Sequence, residues 1–442
     1  MTGKKKYLIE EELPDDYCTN PKKEYTLREH QKFAIDRFIN KQTKGLLIYY
    51  EMGSGKTLIG LELAKLLKKP KIFLMTTNIL NSNFKNEMKK FGYTFEYQFI
   101  SYDSLNTQTY DFNDSLVIMD ECHLFFHNVV TFKVDAYRSL MNAKDCDILL
   151  LTGTPIYKNP FELSAMFNLI GQLKNGRYNE IFPRLGKDFN GLYYNDVTYE
   201  AFRKRQFIDK IRGLVCYFPG YVDNIHVFPK KEKLKYIWHK SGSTMRKNTN
   251  DYNRVFNFPY NVEITIDNLE TYSPKMAYII KFIENMERGD KIMIYSEIPE
   301  VLEALDEILS LKYQKNKDYY IAIGEDVDII NKFNADKDAR IIVTNAKYGI
   351  SLMGVRYVHL LESPVSVTET NQIIARATRL CSHATYEPEK RVVSTFLHVN
   401  YDSIFSKNED YSIFYRMYIY YCLIDDFEKL LRKGSMGPVI EE

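Results

Sequence analysis

Short apolar runs alternate with amphipathic stretches along most of the chain. Gly45-Leu46-Leu47-Ile48-Tyr49, Lys71-Ile72-Phe73-Leu74-Met75, Gln98-Phe99-Ile100, residues 115–119 and Asp147-Ile148-Leu149-Leu150-Leu151 are too short for helices. They are continuous rather than alternating, as in strands buried on both faces. Helical segments separate them, the first starting at Leu27-Arg28-Glu29-His30-Gln31, where Phe33, Ala34, Ile35 and Phe38 leave a polar face. A second series follows at residues 291–295, 319–323, 340–343, 357–361 and 392–397. Strands alternating with helices predict parallel sheets covered on both sides, so the expected fold class is α/β with two doubly wound parallel-sheet domains in tandem. Residues 411–433, dense in Tyr, Ile and Leu, read as a helix packed on the second domain.

Chemistry enters between the first strand and the first long apolar helix, at Tyr50-Glu51-Met52-Gly53-Ser54-Gly55-Lys56-Thr57. Strand, glycine loop and helix make a phosphate cradle. Gly53 and Gly55 let backbone N–H groups turn inward, Lys56 can reach the β and γ oxygens, and the Thr57 hydroxyl can hold Mg²⁺ at the helix N-terminus. Tyr50 stands where such loops usually have their first glycine. After the strand at 115–119 comes Asp120-Glu121-Cys122-His123, one carboxylate for the metal and the next to orient an attacking water. Either motif alone reads as a glycine turn or a solvated strand end; both in this order read as an NTP-hydrolysing pair. His123 and His127 stand i, i+4 without a third ligand cluster, and are read as non-zinc histidines.

Composition changes the picture in three respects. The 442 residues suffice for two domains or slightly more. Sixty basic and 58 acidic residues give a net charge of +2, so no global field draws nucleic acid and any basic track must be local. Cys18, Cys122, Cys146, Cys216, Cys381 and Cys422 are scattered without close pairing, as in a reducing compartment. No signal peptide opens the chain, and no apolar run approaches about 18 residues. The expectation is a soluble, cytoplasmic protein with no membrane partner.

Two further clusters are basic. Gln372-Ile373-Ile374-Ala375-Arg376-Ala377-Thr378-Arg379 spaces two arginines i, i+3, read as one helix face. A solvated basic face is the plain reading. In a two-sheet NTPase, arginines delivered from the second domain would stabilise the separating γ-phosphoryl and couple hydrolysis to closure. Arg203, Lys204, Arg205, Lys210 and Arg212 are interleaved with Phe202 and Phe207. They read as a strip facing phosphates or as a solvated face over two core phenylalanines.

Taken in order, Leu27-Arg28-x-x-Gln31, Glu51 to Thr57, Asp120 to His123, Leu151-Thr152-Gly153-Thr154-Pro155, Ile294-Tyr295-Ser296, Val343-Thr344-Asn345-Ala346-x-x-Gly349-Ile350-Ser351-Leu352 and the 372–379 segment resemble the motif set of helicase superfamily 2. Glu51 to Thr57 and the stretch from Leu151 to Leu163 resemble its Swi/Snf-like branch, and Arg376 to His383 is similar to poxvirus-type nucleoside triphosphatase I and early transcription factor small subunits of large cytoplasmic DNA viruses. The resemblance implies two RecA-like domains with a nucleotide cleft between them. Its domains would be a lead-in at 1–26, an ATP-binding domain at 27–228, a linker or helical insertion at 229–272 and a helicase C-terminal domain at 273–442. It implies ATP and Mg²⁺ as cofactors, with Arg28, Gln31, Met52, Gly53, Ser54, Gly55, Lys56 and Thr57 around the nucleotide and Gln31 reading adenine. Thr57 and Asp120 would hold the metal and Glu121 would be the base. Gln372, Arg376 and Arg379 would complete the catalytic set from the second domain. Thr152 and Thr154 would couple the site to nucleic acid, and Ser101, Ser296 and Thr344 would meet phosphates; caps or turns are their plain reading. Ala375 departs from the glycine usual before the first arginine.

The expected function is an ATP-dependent motor on duplex DNA in viral-type transcription, sited in a viral factory or virion. The alternatives are a strand-separating DNA or RNA helicase and a nucleotide-gated promoter clamp. An RNA polymerase or transcription factor subunit would be its protein partner.

Overall fold

The computed structural model describes residues 6–7, 18, 26–105, 110–132, 135–173, 180–195, 197–220, 228–240, 254–256, 262–324, 326–347, 350–364, 366–401, 409–437 and 439–440. The chain forms two compact units, one from 1–12, 22–221 and 419–442, the other from 13–21 and 222–418.

In the first unit β1 (Gly45–Tyr50), β2 (Lys71–Thr76), β3 (Gln98–Ser101), β4 (Ser115–Asp120), β5 (Asp147–Thr152) and β6 (Val215–Phe218) form one sheet in the order β3-β2-β4-β5-β1-β6. All its pairings are parallel. Strand alternation sorts the apolar runs into two cores. Leu46, Ile48 and Tyr50 pack with α1 (Glu29–Ile39), α2 (Lys56–Leu67) and α3 (Asn78–Phe91). Leu47 and Tyr49 pack on the other face with α4 (His123–Phe132), α5 (Asp135–Asn142), α6 (Glu162–Ile170), α7 (Gly186–Tyr193) and α8 (Lys204–Ile211). Every residue of β1 and β5 is buried, so the two strands read as unbroken apolar runs.

The second unit repeats the scheme. Its strands are β7 (Lys230–Lys231), β8 (Lys235–Lys240), β9 (Lys291–Tyr295), β10 (Tyr319–Ala322), β11 (Ile341–Thr344), β12 (Val355–Leu360) and β13 (Val392–Tyr401). The order is β13-β12-β9-β11-β10, with β7 and β8 both along the outer side of β13, all parallel. α9 (Pro274–Asn285) and α10 (Pro299–Ser310) cover one face, α11 (Val327–Ala335) and α12 (Val367–Ile374) the other. The segment 229–272, expected as a linker or insertion, thus supplies two strands of this sheet. The alternation at 235–240 is hidden by lysines at both strand ends.

The C-terminal segment differs from expectation too. It forms α13 (Glu409–Gly434), but residues from 419 onward belong to the first unit, where Leu423, Ile424, Phe427, Leu430 and Leu431 enter the core with Phe207. Apolar periodicity marks a buried helix without naming its partner. The cysteines are not all apart either: Cys18 and Cys381 form a disulfide.

Inside the second unit three histidines on neighbouring strands form a chain. His239 Nε2 lies 2.8 Å from His398 Nδ1, and His398 Nε2 lies 2.9 Å from His359 Nδ1. Burial pushes His239 down to about 4 and His359 to about 3, and lowers His398 as well. All three are therefore neutral in the folded state, while an unfolded imidazole takes up a proton below about 6.5. The sign follows: these groups leave stability unchanged above that pH and withdraw it as pH falls below it. Each contributes a slope of about 1.4 kcal/mol per pH unit once its unfolded form is charged. Thermal unfolding should therefore shift to lower temperature between pH 7 and pH 5, and His398→Phe should flatten that slope, read by circular dichroism across the series.

Candidate nucleotide site

The phosphate loop grows from the buried end of β1. Gly53 and Gly55 take φ of 82° and 78°, in the left-handed region that favours glycine. A Cβ at Gly55 would stand 2.4 Å from Gln31 Nε2, so the position tolerates no side chain while α1 stays in place. Lys56 is the first residue of α2, and its ammonium donates to the Tyr50 and Glu51 carbonyls at 2.9 and 3.3 Å. The cation is thereby held over the loop at the positive end of a helix, an arrangement suited to anions. Ser54 Oγ is buried with no hydrogen-bond partner among the described residues, and Thr57 follows Lys56 half-buried. Tyr50, the departure from the usual glycine, points into the core, where its hydroxyl donates to the His30 carbonyl at 2.8 Å.

α1 braces this loop. Arg28, its N-cap, donates its backbone N–H to Gln31 Oε1 at 2.9 Å, while Gln31 Nε2 donates to the Gly55 carbonyl at 3.1 Å. Gln31 thus ties the helix start to the loop through the oxygen and the nitrogen of its amide. His30 was not singled out in the sequence, yet its Nε2 donates to the Ser54 carbonyl at 2.9 Å and its ring stacks on Phe218 at 4.1 Å. Burial pushes His30 down to about 4, so it acts as a neutral donor. Its one sequence signal is adjacency to Gln31.

β5 lies beside β1 and β4 beside β5, and they bring their carboxyl ends to the same edge, the ligand-binding edge of doubly wound sheets. Asp120 ends β4, with its carbonyl held by the Tyr102 hydroxyl at 2.8 Å and a carboxylate oxygen accepting the Glu121 N–H at 3.1 Å. Burial, then the neighbouring Glu121 charge, pushes the Asp120 carboxyl up to about 7, with Lys56 opposing. Glu121 has φ of 49°, a conformation costing of order 1 kcal/mol for a residue with a Cβ. From there polar contacts continue: Thr152 Oγ1 lies 3.4 Å from Glu121 Oε2 and 2.9 Å from His123 Nδ1, and accepts the Thr154 N–H at 3.0 Å. Burial lowers His123 too. Gly153 closes the circuit. A Cβ there would stand 3.2 Å from Met52 Cγ, 3.3 Å from the Tyr50 carbonyl and 3.6 Å from Lys56 Nζ.

The loop after β5 has its own anchor. Glu162, fully buried, accepts the N–H groups of Tyr157 at 2.6 Å, Lys158 at 3.2 Å and Asn159 at 3.3 Å, and meets His127 Nδ1 at 2.8 Å. His123 and His127 are thus spoken for by Thr152 and Glu162, and Tyr157 stacks on the first.

In the second unit the arginines are arranged differently from expectation. α12 ends at Ile374, so Arg376 and Arg379 lie in the turns beyond it and share no helix face. Arg376 is 4% exposed, donating Nε to the Gln372 carbonyl at 3.0 Å and Nη1 to Ile350 at 3.4 Å. Gln372 itself is fully buried, and Arg379 is half-buried two residues before the disulfide at Cys381. Spacing could not reveal this, because i, i+3 implies a shared face only while the helix continues. The hydroxyls follow their plain reading locally: Ser101 Oγ caps a turn at Asp103 N–H (3.3 Å), Ser296 Oγ accepts from Ile298 (3.2 Å) and Thr344 Oγ1 from Ala346 (3.0 Å). Ser296 and Thr344 sit on neighbouring strand ends, joined by Ser296 N–H to the Thr344 carbonyl at 3.3 Å. Gly349 lies outside the described residues. Of the basic cluster, Lys204 pairs with Asp426 at 3.0 Å, Arg212 with Asp209 at 3.0 Å, and Lys210 donates to the Ile181 carbonyl; Arg203, Lys204, Arg205 and Arg212 are exposed.

Residues 24–110 match the family described as type III restriction enzyme, res subunit, and residues 274–381 match the helicase conserved C-terminal domain. A protein of Acanthamoeba polyphaga mimivirus described as an ATP-dependent RNA helicase is 23% identical over 87% of this chain and 83% of its own length. A termination factor NPH-I homolog of African swine fever virus is 28% identical over 48% of this chain, and the early transcription factor 70 kDa subunit of fowlpox virus 24% identical over 42%. The match spans only about a third of each of those two relatives, 33% and 30%. Among solved structures, the Sulfolobus solfataricus SWI2/SNF2 ATPase core in complex with dsDNA aligns over 93% of this chain and 97% of its own, at 16% identity and a TM-score of 0.40.

Glu162 offers a direct check of how this loop is built. Glu162→Ala strands three part-buried N–H groups and the His127 contact, and should cost about 2 kcal/mol of stability, measured by urea unfolding.

Proposed function

We infer that this chain, a member of helicase superfamily 2 in its Swi/Snf-like branch, is an ATP-driven motor that moves along duplex DNA in viral-type transcription. The observation carrying the reading is the convergence of Lys56, Asp120-Glu121 and Thr152-Gly153-Thr154 at the carboxyl ends of three neighbouring parallel strands, with Gly153 against Lys56. Lys56 would neutralise the β and γ oxygens, and Glu121, held in its strained turn, would orient the attacking water. The residues also fit a divalent cation: a buried carboxyl at Asp120, raised by its neighbour's charge, gains from a cation beside it. Asp120 and Thr57 would hold Mg²⁺, which would offset phosphate charge. The contacts from Glu121 through Thr152 to Thr154 offer a route by which the state of the nucleotide reaches the loop after β5.

Of the two arginines, Arg379 is the proposed finger: it is half-buried, whereas Arg376 is 4% exposed and holds the Gln372 and Ile350 carbonyls. The duplex-DNA track rests on the resemblance of the motifs to the Swi/Snf-like branch, and a polymerase or transcription factor partner and action in a viral factory rest on the transcription relatives.

ATP hydrolysis measured without nucleic acid and with duplex DNA, single-stranded DNA or RNA tests the whole reading. Stimulation chiefly by duplex is expected; chief stimulation by RNA would move the chain to the strand-separating alternative. Lys56→Ala should abolish turnover and weaken ATP binding, whereas Glu121→Gln should keep ATP and lose turnover. Equal loss of binding in both would contradict the roles. Arg379→Ala should retain ATP and lose about 10³-fold in turnover, while Arg376→Ala should act mainly on the unfolding temperature.

A further inference from the structure

A second surface with the chemistry of a ligand site lies on the outer edge of the second unit's sheet. β8 pairs with β13 on one side only, and among the described residues no strand covers its other side. Trp238, the chain's single tryptophan, stands on this edge strand and is 48% exposed. Its ring meets Phe414 edge-on at 5.2 Å and Tyr411 at 6.2 Å. Tyr415 stacks on Tyr411 at 6.2 Å and 11°, and Tyr418 on Phe414 at 5.9 Å and 25°, each of the two outer tyrosines being 44% exposed. Phe414 is thus the buried post, and Trp238, Tyr415 and Tyr418 are the partly exposed rings of this surface.

Charge identifies what such rings would take. Lys230, Lys231, Lys233, Lys235 and Lys240 are all exposed along β7, β8 and their junction. The stretch has one carboxylate, Glu232, and that is paired with Lys235 at 2.6 Å. Among the described residues the other four lysines form no ion pair, on a chain whose overall charge is close to balance. Strand alternation puts Lys240 on the same face as Trp238. Interfaces with proteins draw on aromatic residues but are depleted in lysine. Half-exposed rings bordered by unpaired lysines instead match single-stranded nucleic acid, whose bases stack on the rings while its phosphates meet the cations. A duplex hides its base faces and would gain only the charge term.

We propose that the β8–α13 face binds single-stranded DNA or RNA by stacking unpaired bases on Trp238, Tyr415 and Tyr418, as a second nucleic-acid site separate from the nucleotide-binding strand ends. It stands independently of the motor reading. Because Trp238 is the one tryptophan, its fluorescence reports this site alone. Titration with a dT or rU dodecamer, without ATP, should quench that emission at a concentration that rises with salt, and a duplex of the same length should quench it far less. Trp238→Ala and Tyr415→Ala should each weaken dodecamer binding about tenfold in anisotropy with a labelled strand, and Trp238→Phe should restore most of the loss. Circular dichroism melts of each variant separate lost binding from lost folding. Lys56→Ala should bind the dodecamer as wild type does, so that failure of hydrolysis and failure of this site remain separable. Absence of quenching, equal quenching by duplex, or unchanged anisotropy in both alanine variants overturns the proposal, the last returning the rings to a protein-docking face.

Discussion

Two adjacent carboxylates beside one lysine, at a buried strand end, are the constraint around which the first unit is built. Asp120 and Glu121 repel each other where water is scarce, and Lys56 opposes that repulsion. Such an arrangement holds only if three strands deliver their ends to one place, which is what the order β4-β5-β1 does. Each neighbouring oddity serves the same end. Gly55 lets Gln31 close on the loop, Glu121 holds a left-handed backbone directly after Asp120, and His30 stays neutral so that it adds a donor without adding charge.

Much of this was legible in the residues. Fully buried parallel strands carry continuous apolar runs, so β1, β4 and β5 were readable, and glycine, lysine and paired carboxylates at strand ends have few other uses. His30 was not legible, because its importance lies in a contact across 24 residues with a backbone carbonyl, and periodicity encodes no such contact. Neither was the role of Glu162, whose partners are N–H groups that every residue possesses.

The misreadings share a cause. Arg376 and Arg379 were placed by helical spacing, but capping and turn geometry end α12 before them. α13 was assigned to the nearest sheet in sequence, yet an apolar stripe 26 residues long can serve more than one core. β8 was missed because lysines at both ends, which blunt an edge strand against stray pairing, also erase its apolar signature. Local pattern states what an element is; which neighbour it meets is decided by the rest of the chain.

The Cys18–Cys381 bond gives the molecule a property that no motif describes. A cross-link between positions 363 apart turns most of the polypeptide into a covalent ring with two tails. Glutathione-rich surroundings open such a ring, and oxidising ones close it. Oxidised, the sequence is a clasped loop, and reduced it would be an open thread; the clasp lies two residues from Arg379.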